Sequence, residues 1–148
     1  MRVELRDTVE DDLPILFRHQ ADPEASAMAA FPSRDWEAFV AQQAKIAAGS
    51  DMLQQTILVD GEVAGDIGSW QTEDDRNVGY WIGRSFWGRG VATAALRAFL
   101  QLETTRPLTA YVAAHNLGSR RVLEKCGFEV VREQHVDGVD EIVTLLRS

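Results

Sequence analysis

The chain has 148 residues, 45% hydrophobic and 26% charged, which excludes wholesale disorder and predicts one globular domain over residues 1–148. A formal net charge of −8 and a sequence pI near 4.8 exclude the clustered Lys/Arg surface that nonspecific nucleic-acid binding needs. No apolar run approaches the ~20 residues of a membrane span, the charged start lacks an apolar signal region, and the lone Cys126 permits no internal disulfide or all-cysteine metal site, so a cytoplasmic protein with no membrane, nucleic-acid or metal partner is expected.

Val3–Arg6 alternates as a first strand. Thr8 with Asp11 resembles a helix-capping pattern, and Leu13, Ile15, Leu16 and Phe17 follow at helical spacing. Residues 21–32 are small, contain two prolines and read as a loop. Ser33 or Asp35 caps a helix over residues 36–48, with Trp36, Phe39, Val40 and Ala44 on one face and Gly49 at its end. Residues 56–59 lead through Asp60-Gly61, a type I′ turn signal, into a second hairpin strand, 62–70. A polar turn at 71–76 precedes a strand over 77–83. A helix from Val91 to about Glu103 comes next, then a strand over Leu108–Ala113, a short helix over 116–125 closed by Gly127, and strands 128–134 and 141–146 joined by Asp137-Gly138. The order β-α-α-β-β-β-α-β-α-β-β predicts an α+β fold: a mixed, mostly antiparallel twisted sheet of about seven strands with about four helices on its faces.

The chemistry concentrates at the strand–turn–helix over Asn77–Ala92. Val78, Tyr80, Trp81 and Ile82 suit a strand, and Gly88-Arg89-Gly90 allows a tight bend before the helical run Val91–Leu96. The first N–H groups of a helix lack intrahelical partners and the helix dipole adds partial positive charge there, so Gly88–Ala92 is a candidate phosphate cradle. Gly83-x4-Gly88 has Walker A spacing, but Arg89-Gly90 stands where Lys-Ser/Thr is required. Gly88-x-Gly90 has Thr93 instead of a third glycine and no acidic residue at the ribose position. A nucleoside triphosphate and a dinucleotide are therefore both disfavoured.

Two motifs resolve the ligand by resemblance. Trp87-Gly88-Arg89-Gly90-Val91-Ala92 and Asn116-x-x-Ser119…Glu124-Lys125-x-Gly127-Phe128, in this order with a strand between, resemble the GNAT (Gcn5-related N-acetyltransferase) superfamily, specifically its RimJ/RimL-like ribosomal-protein N-acetyltransferase branch. The resemblance covers essentially the whole chain. It implies a GNAT-type acyl-CoA N-acyltransferase fold and acetyl-CoA as cosubstrate, with its pyrophosphate on Trp87, Gly88, Arg89, Gly90, Val91 and Ala92. It also implies a pantetheine arm paired with the backbone of Trp81, Ile82 and Gly83, with Asn116 as an amide partner. One of Arg120, Arg121 and Lys125 is expected at the 3′-phosphate, and Arg121 is taken as that contact.

The implied reaction is direct attack of a primary amine, from a protein N-terminus or a small molecule, on the thioester carbonyl. Leu123 occupies the position where many relatives carry the tyrosine that protonates the leaving thiolate, and Ser119, four residues earlier on the same helical face, is the expected replacement. A backbone N–H near Ile82 is expected to hold the oxyanion. Glu73, Asp74 and Asp75 are candidate bases, with Glu73 selected. Met28–Arg34 is the expected acceptor-selecting segment, and the chain is expected as a monomer or homodimer. Cys126 reads as a structural thiol, His19, His115 and His135 have no metal spacing, and Trp36, Trp70 and Trp81 read as core or slot walls. Two other classes remain open: an acetyl-CoA-binding sensor or interaction module without catalysis, and a purely structural domain.

Overall fold

The computed structural model of the chain describes residues 1–49 and 51–148. Among them are β1 (Val3–Asp7), α1 (Leu13–Ala21), α2 (Pro23–Ala29), α3 (Trp36–Ala47), β2 (Leu53–Val59), β3 (Glu62–Gln71), β4 (Arg76–Ile82), α4 (Val91–Phe99), β5 (Leu108–Ala113), α5 (Leu117–Lys125), β6 (Glu129–Val136) and β7 (Val139–Leu146), with 3₁₀ turns at Glu10–Asp12 and Arg84–Phe86. The strands form one sheet in the order β1-β2-β3-β4-β5-β7-β6. Every neighbouring pair is antiparallel except β4 and β5, which run parallel.

That parallel pair is short. β4 and β5 are in register only at Arg76↔Leu108 and Asn77↔Thr109, and the remainder of β4 diverges from β5. The split opens into a cleft toward the C-terminal end of β4, where open sheets with a strand break commonly bind ligands.

Side-chain alternation assigns the two faces. Ile82 and Val78 join Val91, Ala95, Leu96 and Phe99 of α4 and Leu123 of α5 in the main core, with Ile57 and Ile67 beneath them. On the other face Trp81 donates its indole N–H to the His19 carbonyl of α1 at 3.2 Å, and Phe17, Trp36 and Phe39 pack ring against ring. So α4 and α5 cover one face, and α1–α3 cover the other.

Both hairpin turns match the sequence reading, with positive φ at Asp60, Gly61, Asp137 and Gly138. Other local expectations are corrected. Within residues 21–32, read as a loop, Pro23–Ala29 form α2, and only the stretch after it stays irregular. Pro23 occupies the first helical position of α2, where its missing N–H costs nothing, and the Asp22 carboxylate accepts from Glu24 N. Asp35, not Ser33, caps α3 by accepting from Ala38 N at 2.8 Å. Phe39 is its buried residue, whereas Trp36 is 43% exposed and Ala44 faces solvent. Thr8 does not cap α1. Its hydroxyl lies 2.9 Å from Thr56 Oγ1, which donates to Asp12 Oδ2, and the buried Asp12 carboxylate also accepts from Val9 N and is held by Arg6 at 2.7 Å. α4 ends at Phe99, short of Glu103: Gln101 and Leu102 donate to carbonyls three residues back, which tightens and unwinds the last turn. The Glu103 carboxylate instead meets Arg76 at 2.6 Å.

Candidate active site

A cleft of about 510 Å³ occupies the split. Its floor is Tyr80, Trp81 and Ile82 of β4. One end is the turn of Trp87, Gly88 and Gly90 with Val91, Ala92 and Thr93. One wall is Gly118, Ser119, Arg121, Val122 and Lys125 of α5, and the other is Ala25, Met28 and Ala29 of α2.

The glycine turn is built for close approach. Gly88 and Gly90 have φ of 73° and 76°, a region costly for residues with a Cβ, and no atom lies within 4 Å of a Cβ built at either. Gly90 leaves α4 without a side-chain cap, and the first amide beyond it with an intrahelical acceptor is Ala94 N, to Gly90 O at 3.1 Å. The N–H groups of Val91, Ala92 and Thr93 therefore open onto the cleft, flanked by Arg121 and Lys125. The Arg89 guanidinium lies over the Phe86 ring at 5.4 Å, outside the cleft lining.

In an antiparallel ladder alternate residues turn their N–H and C=O groups to opposite edges. Gly83 N donates to Ala64 O at 2.8 Å, which commits Gly83, and two residues back Trp81, to the β3 edge. Ile82 and Tyr80 turn toward the split. The Ile82 carbonyl is already taken by the Trp87 indole N–H at 2.9 Å, leaving its N–H facing the cleft. Of the three backbone residues expected to meet a pantetheine arm, Ile82 faces the cleft with its backbone, Trp81 lines the cleft while its backbone groups turn to β3, and Gly83 lies outside the lining.

Ser119 occupies the first turn of α5 and is aimed by its cap. The Asn116 Oδ1 accepts from Ser119 N at 3.2 Å, so the side chain expected to bind pantetheine is engaged in orienting Ser119. Across the cleft the Tyr80 hydroxyl lies 2.6 Å from Ser119 Oγ. Burial pushes the Tyr80 phenol up to about 12, only partly offset by its bond to Ser119, so it is a neutral hydroxyl at pH 7. The sequence reading named Tyr80 as a strand residue and gave it no role in the site. The available signal was its alternation with Val78 and Ile82 on the α4–α5 face, where a buried phenol needs a polar partner.

Glu73 is not brought to this pair. It is exposed in the turn 72–75, at the opposite end of β4 from Ile82. From the expected acceptor segment, Met28 lines the cleft, Phe31 packs edge-on against Trp81 at 6.4 Å, and Arg34 lies over Phe31 at 5.1 Å. α2 is tied across the cleft at both ends: Arg84 pairs with Asp22 at 2.8 Å and with Glu24, and His115 Nε2 lies 3.0 Å from Ala27 O. Burial raises the Cys126 thiol above its ordinary value, and its Sγ lies 3.9 Å from Thr93 O, fitting a structural thiol. Among the described residues no three metal-binding side chains converge, and no helix is long and apolar enough to cross a membrane.

A family model for the acetyltransferase (GNAT) domain matches residues 2–129, and the chain belongs to this family. It is 35% identical over 102 residues to YdaF of Bacillus subtilis (strain 168), a protein named as a candidate ribosomal N-acetyltransferase. That match covers 64% of this chain and 51% of YdaF, so the chain aligns with about half of its relative's length. Solved structures share the fold. The aminoglycoside acetyltransferase AAC(6')-Ib with coenzyme A superimposes with a TM-score of 0.79 at 20% identity, over 99% of this chain and 95% of that one. Mycobacterium smegmatis RimJ with CoA-disulfide gives 0.75 at 24% identity, over 99% and 82%. RimL, an α-N-acetyltransferase of ribosomal protein L7/L12, gives 0.79 at 20%, over 99% and 90%.

Proposed function

We propose that this chain transfers the acetyl group of acetyl-CoA to a primary amine by direct attack. The observation that carries this reading is that one cleft joins the uncapped N-terminus of α4 to the Tyr80–Ser119 hydroxyl pair. The cradle suits a pyrophosphate: glycines that leave open space, three N–H groups facing the ligand, and Arg121 and Lys125 for further phosphate charge. When bound, acetyl-CoA supplies an activated thioester, whose carbonyl carbon accepts the amine nitrogen while the carbon–sulfur bond breaks.

The residues divide the remaining work. The Ile82 N–H faces the cleft and suits the charge that develops on the carbonyl oxygen. Ser119 gives a hydroxyl proton to the leaving sulfur, Tyr80 donates to Ser119 Oγ as that proton departs, and the proton shed by the attacking nitrogen passes to solvent, from which the hydroxyl pair is reprotonated. Leu123, only 2% exposed one turn beyond Ser119, belongs to the core outside the cleft lining and offers no proton. Trp87 holds the Ile82 carbonyl and so shapes the turn between strand and cradle. The relatives support an amine acceptor of either kind, an aminoglycoside for AAC(6')-Ib and a protein α-amine for RimL.

The test is thiol release from acetyl-CoA with a polyamine, an aminoglycoside and a peptide bearing a free N-terminus. Amine-dependent release with at least one acceptor is expected. Tight acetyl-CoA binding without release for any amine would favour the sensor reading instead.

A further inference from the structure

The last turn of α1 makes contacts that the acetyl-transfer reading does not use. The final carbonyls of a helix have no intrahelical donors. Two of those in α1 are taken by walls of the cleft: His19 O accepts from the Trp81 indole N–H at 3.2 Å, and Gln20 O accepts from Ser26 Oγ of α2 at 2.8 Å. The His19 ring lies so close on Gly83 that a Cβ there would meet its Nε2 at 2.6 Å, so this turn of α1 is seated against the end of β4.

Gln20 reaches a second point on the same chain segment. It is only 8% exposed, and both ends of its side-chain amide go to the backbone of one residue beyond α2: Nε2 donates to Arg34 O at 3.2 Å, and Oε1 accepts from Arg34 N at 3.3 Å. Gln20 therefore holds both ends of residues 26–34, its carbonyl at Ser26 and its amide at Arg34. Within that span Phe31 N donates back to Ser26 O at 3.1 Å. The span presents Met28 and Ala29 to the cleft and packs Phe31 edge-on against Trp81 at 6.4 Å. Losing either amide contact leaves a buried polar group without a partner, so the clasp favours one placement of the span over its alternatives.

We propose that Gln20 is a positioning residue for acetyl transfer: it lies outside the cleft lining and, by clasping residues 26 and 34, sets the α2 wall against which the acceptor is held. The inference rests on the acetyltransferase reading. There the α4 turn and the hydroxyl pair serve the cofactor, and α2 with Trp81 is the lining left to the amine.

Gln20→Glu keeps the oxygen that accepts from Arg34 N and sets a carboxylate oxygen against Arg34 O in place of the donor. Ser26→Ala opens the other end of the clasp at a half-buried position, carries the same expectations, and keeps the test open if Gln20→Glu does not fold. Two readouts are taken on the full chain. Amide exchange over residues 26–34, followed by mass spectrometry, needs no amine; it is expected to quicken about tenfold or more, with α4 and α5 exchanging as in wild type. Steady-state acetylation of spermidine, of the aminoglycoside kanamycin and of a peptide with a free N-terminus gives the second. The acceptor KM is expected to rise about fivefold or more, with kcat and the acetyl-CoA KM within about twofold of wild type. Wild-type exchange over residues 26–34, or an unchanged acceptor KM, would overturn the clasp. A joint loss of kcat and acetyl-CoA affinity would also overturn it, as the mark of a general structural role. A wild-type chain that acetylates none of these amines counts against the acetyltransferase reading and takes this inference with it. An active wild type whose variants miss these expectations counts against Gln20 alone.

Discussion

The Tyr80 hydroxyl and Ser119 Oγ meet at 2.6 Å from opposite walls of the split, one on β4 and one on α5. In the proposed mechanism this contact puts a hydroxyl pair in the place of a single acid. Ser119→Ala is expected to lower kcat by 10²–10⁴-fold, the ordinary worth of a positioned acid, with little change in acetyl-CoA affinity. Tyr80→Phe keeps the packing and removes the second donor, so it is expected to lower kcat less than Ser119→Ala. The double variant is expected to match Ser119→Ala, since the two act as one unit. Additive losses in single-turnover kinetics would show that they act separately.

Gly90→Ala separates a binding turn from a structural one. Its φ of 76° makes alanine strained by about 1–2 kcal/mol, although a Cβ meets nothing within 4 Å. A fall in thermal midpoint of roughly 3–6 °C is expected for a chain of this size. Affinity for acetyl-CoA, measured by calorimetry below both midpoints, is expected to fall more than tenfold because the methyl points into the space the pyrophosphate needs. Unchanged affinity with the same midpoint loss would make the turn purely structural.

The Arg76–Glu103 pair gives a stability signature in acid. Burial alone would raise the Glu103 carboxyl, but hydrogen bonds from Ser69, Arg76 and Thr105 outweigh it and bring it down to about 2 from 4.5. The folded state thus holds the proton less tightly than the unfolded chain. The pair's stabilisation is complete above about pH 4.5 and is lost as pH falls toward 2. Glu103→Gln is expected to cost about 2–3 kcal/mol at pH 7 and almost nothing near pH 2, read by denaturant melts at each pH.

Asp66 carries the opposite sign. It is the register partner of Trp81 beneath α1, and burial pushes its carboxyl up to about 6, with only a Gln54 hydrogen bond at 3.3 Å to lower it. The folded state binds this proton more tightly, so its contribution is greatest below about pH 3.8 and is lost as pH rises through 6. Asp66→Asn is expected to raise stability by about 2 kcal/mol at pH 8, the gain vanishing toward pH 4. A gain of the same size at pH 4 and pH 8 would refute this.

What the sequence displayed tracks with locality. Leu108–Ala113, the Asp60-Gly61 and Asp137-Gly138 turns and the Asn116 start of α5 are set by residues within a few positions and were legible. α2 was hidden because Pro23 and Pro32 look alike in composition, whereas the structure uses Pro23 to start a helix and leaves Pro32 outside one. Tyr80 escaped notice because its partner lies 39 residues away, and Asp75 is set apart from Glu73 and Asp74 by a hydrogen bond from Tyr111, 36 residues on. Nothing local distinguishes three adjacent carboxylates.

The central claim is that the split between β4 and β5 holds acetyl-CoA on the α4 N-terminus. The direct measurement is the thermal midpoint as acetyl-CoA is titrated, with ATP and NAD beside it. At about 100 times its Kd, acetyl-CoA is expected to add roughly 2.7 kcal/mol, a rise of several degrees, with ATP and NAD giving none. A flat response to acetyl-CoA, or an equal rise with ATP, would contradict the account.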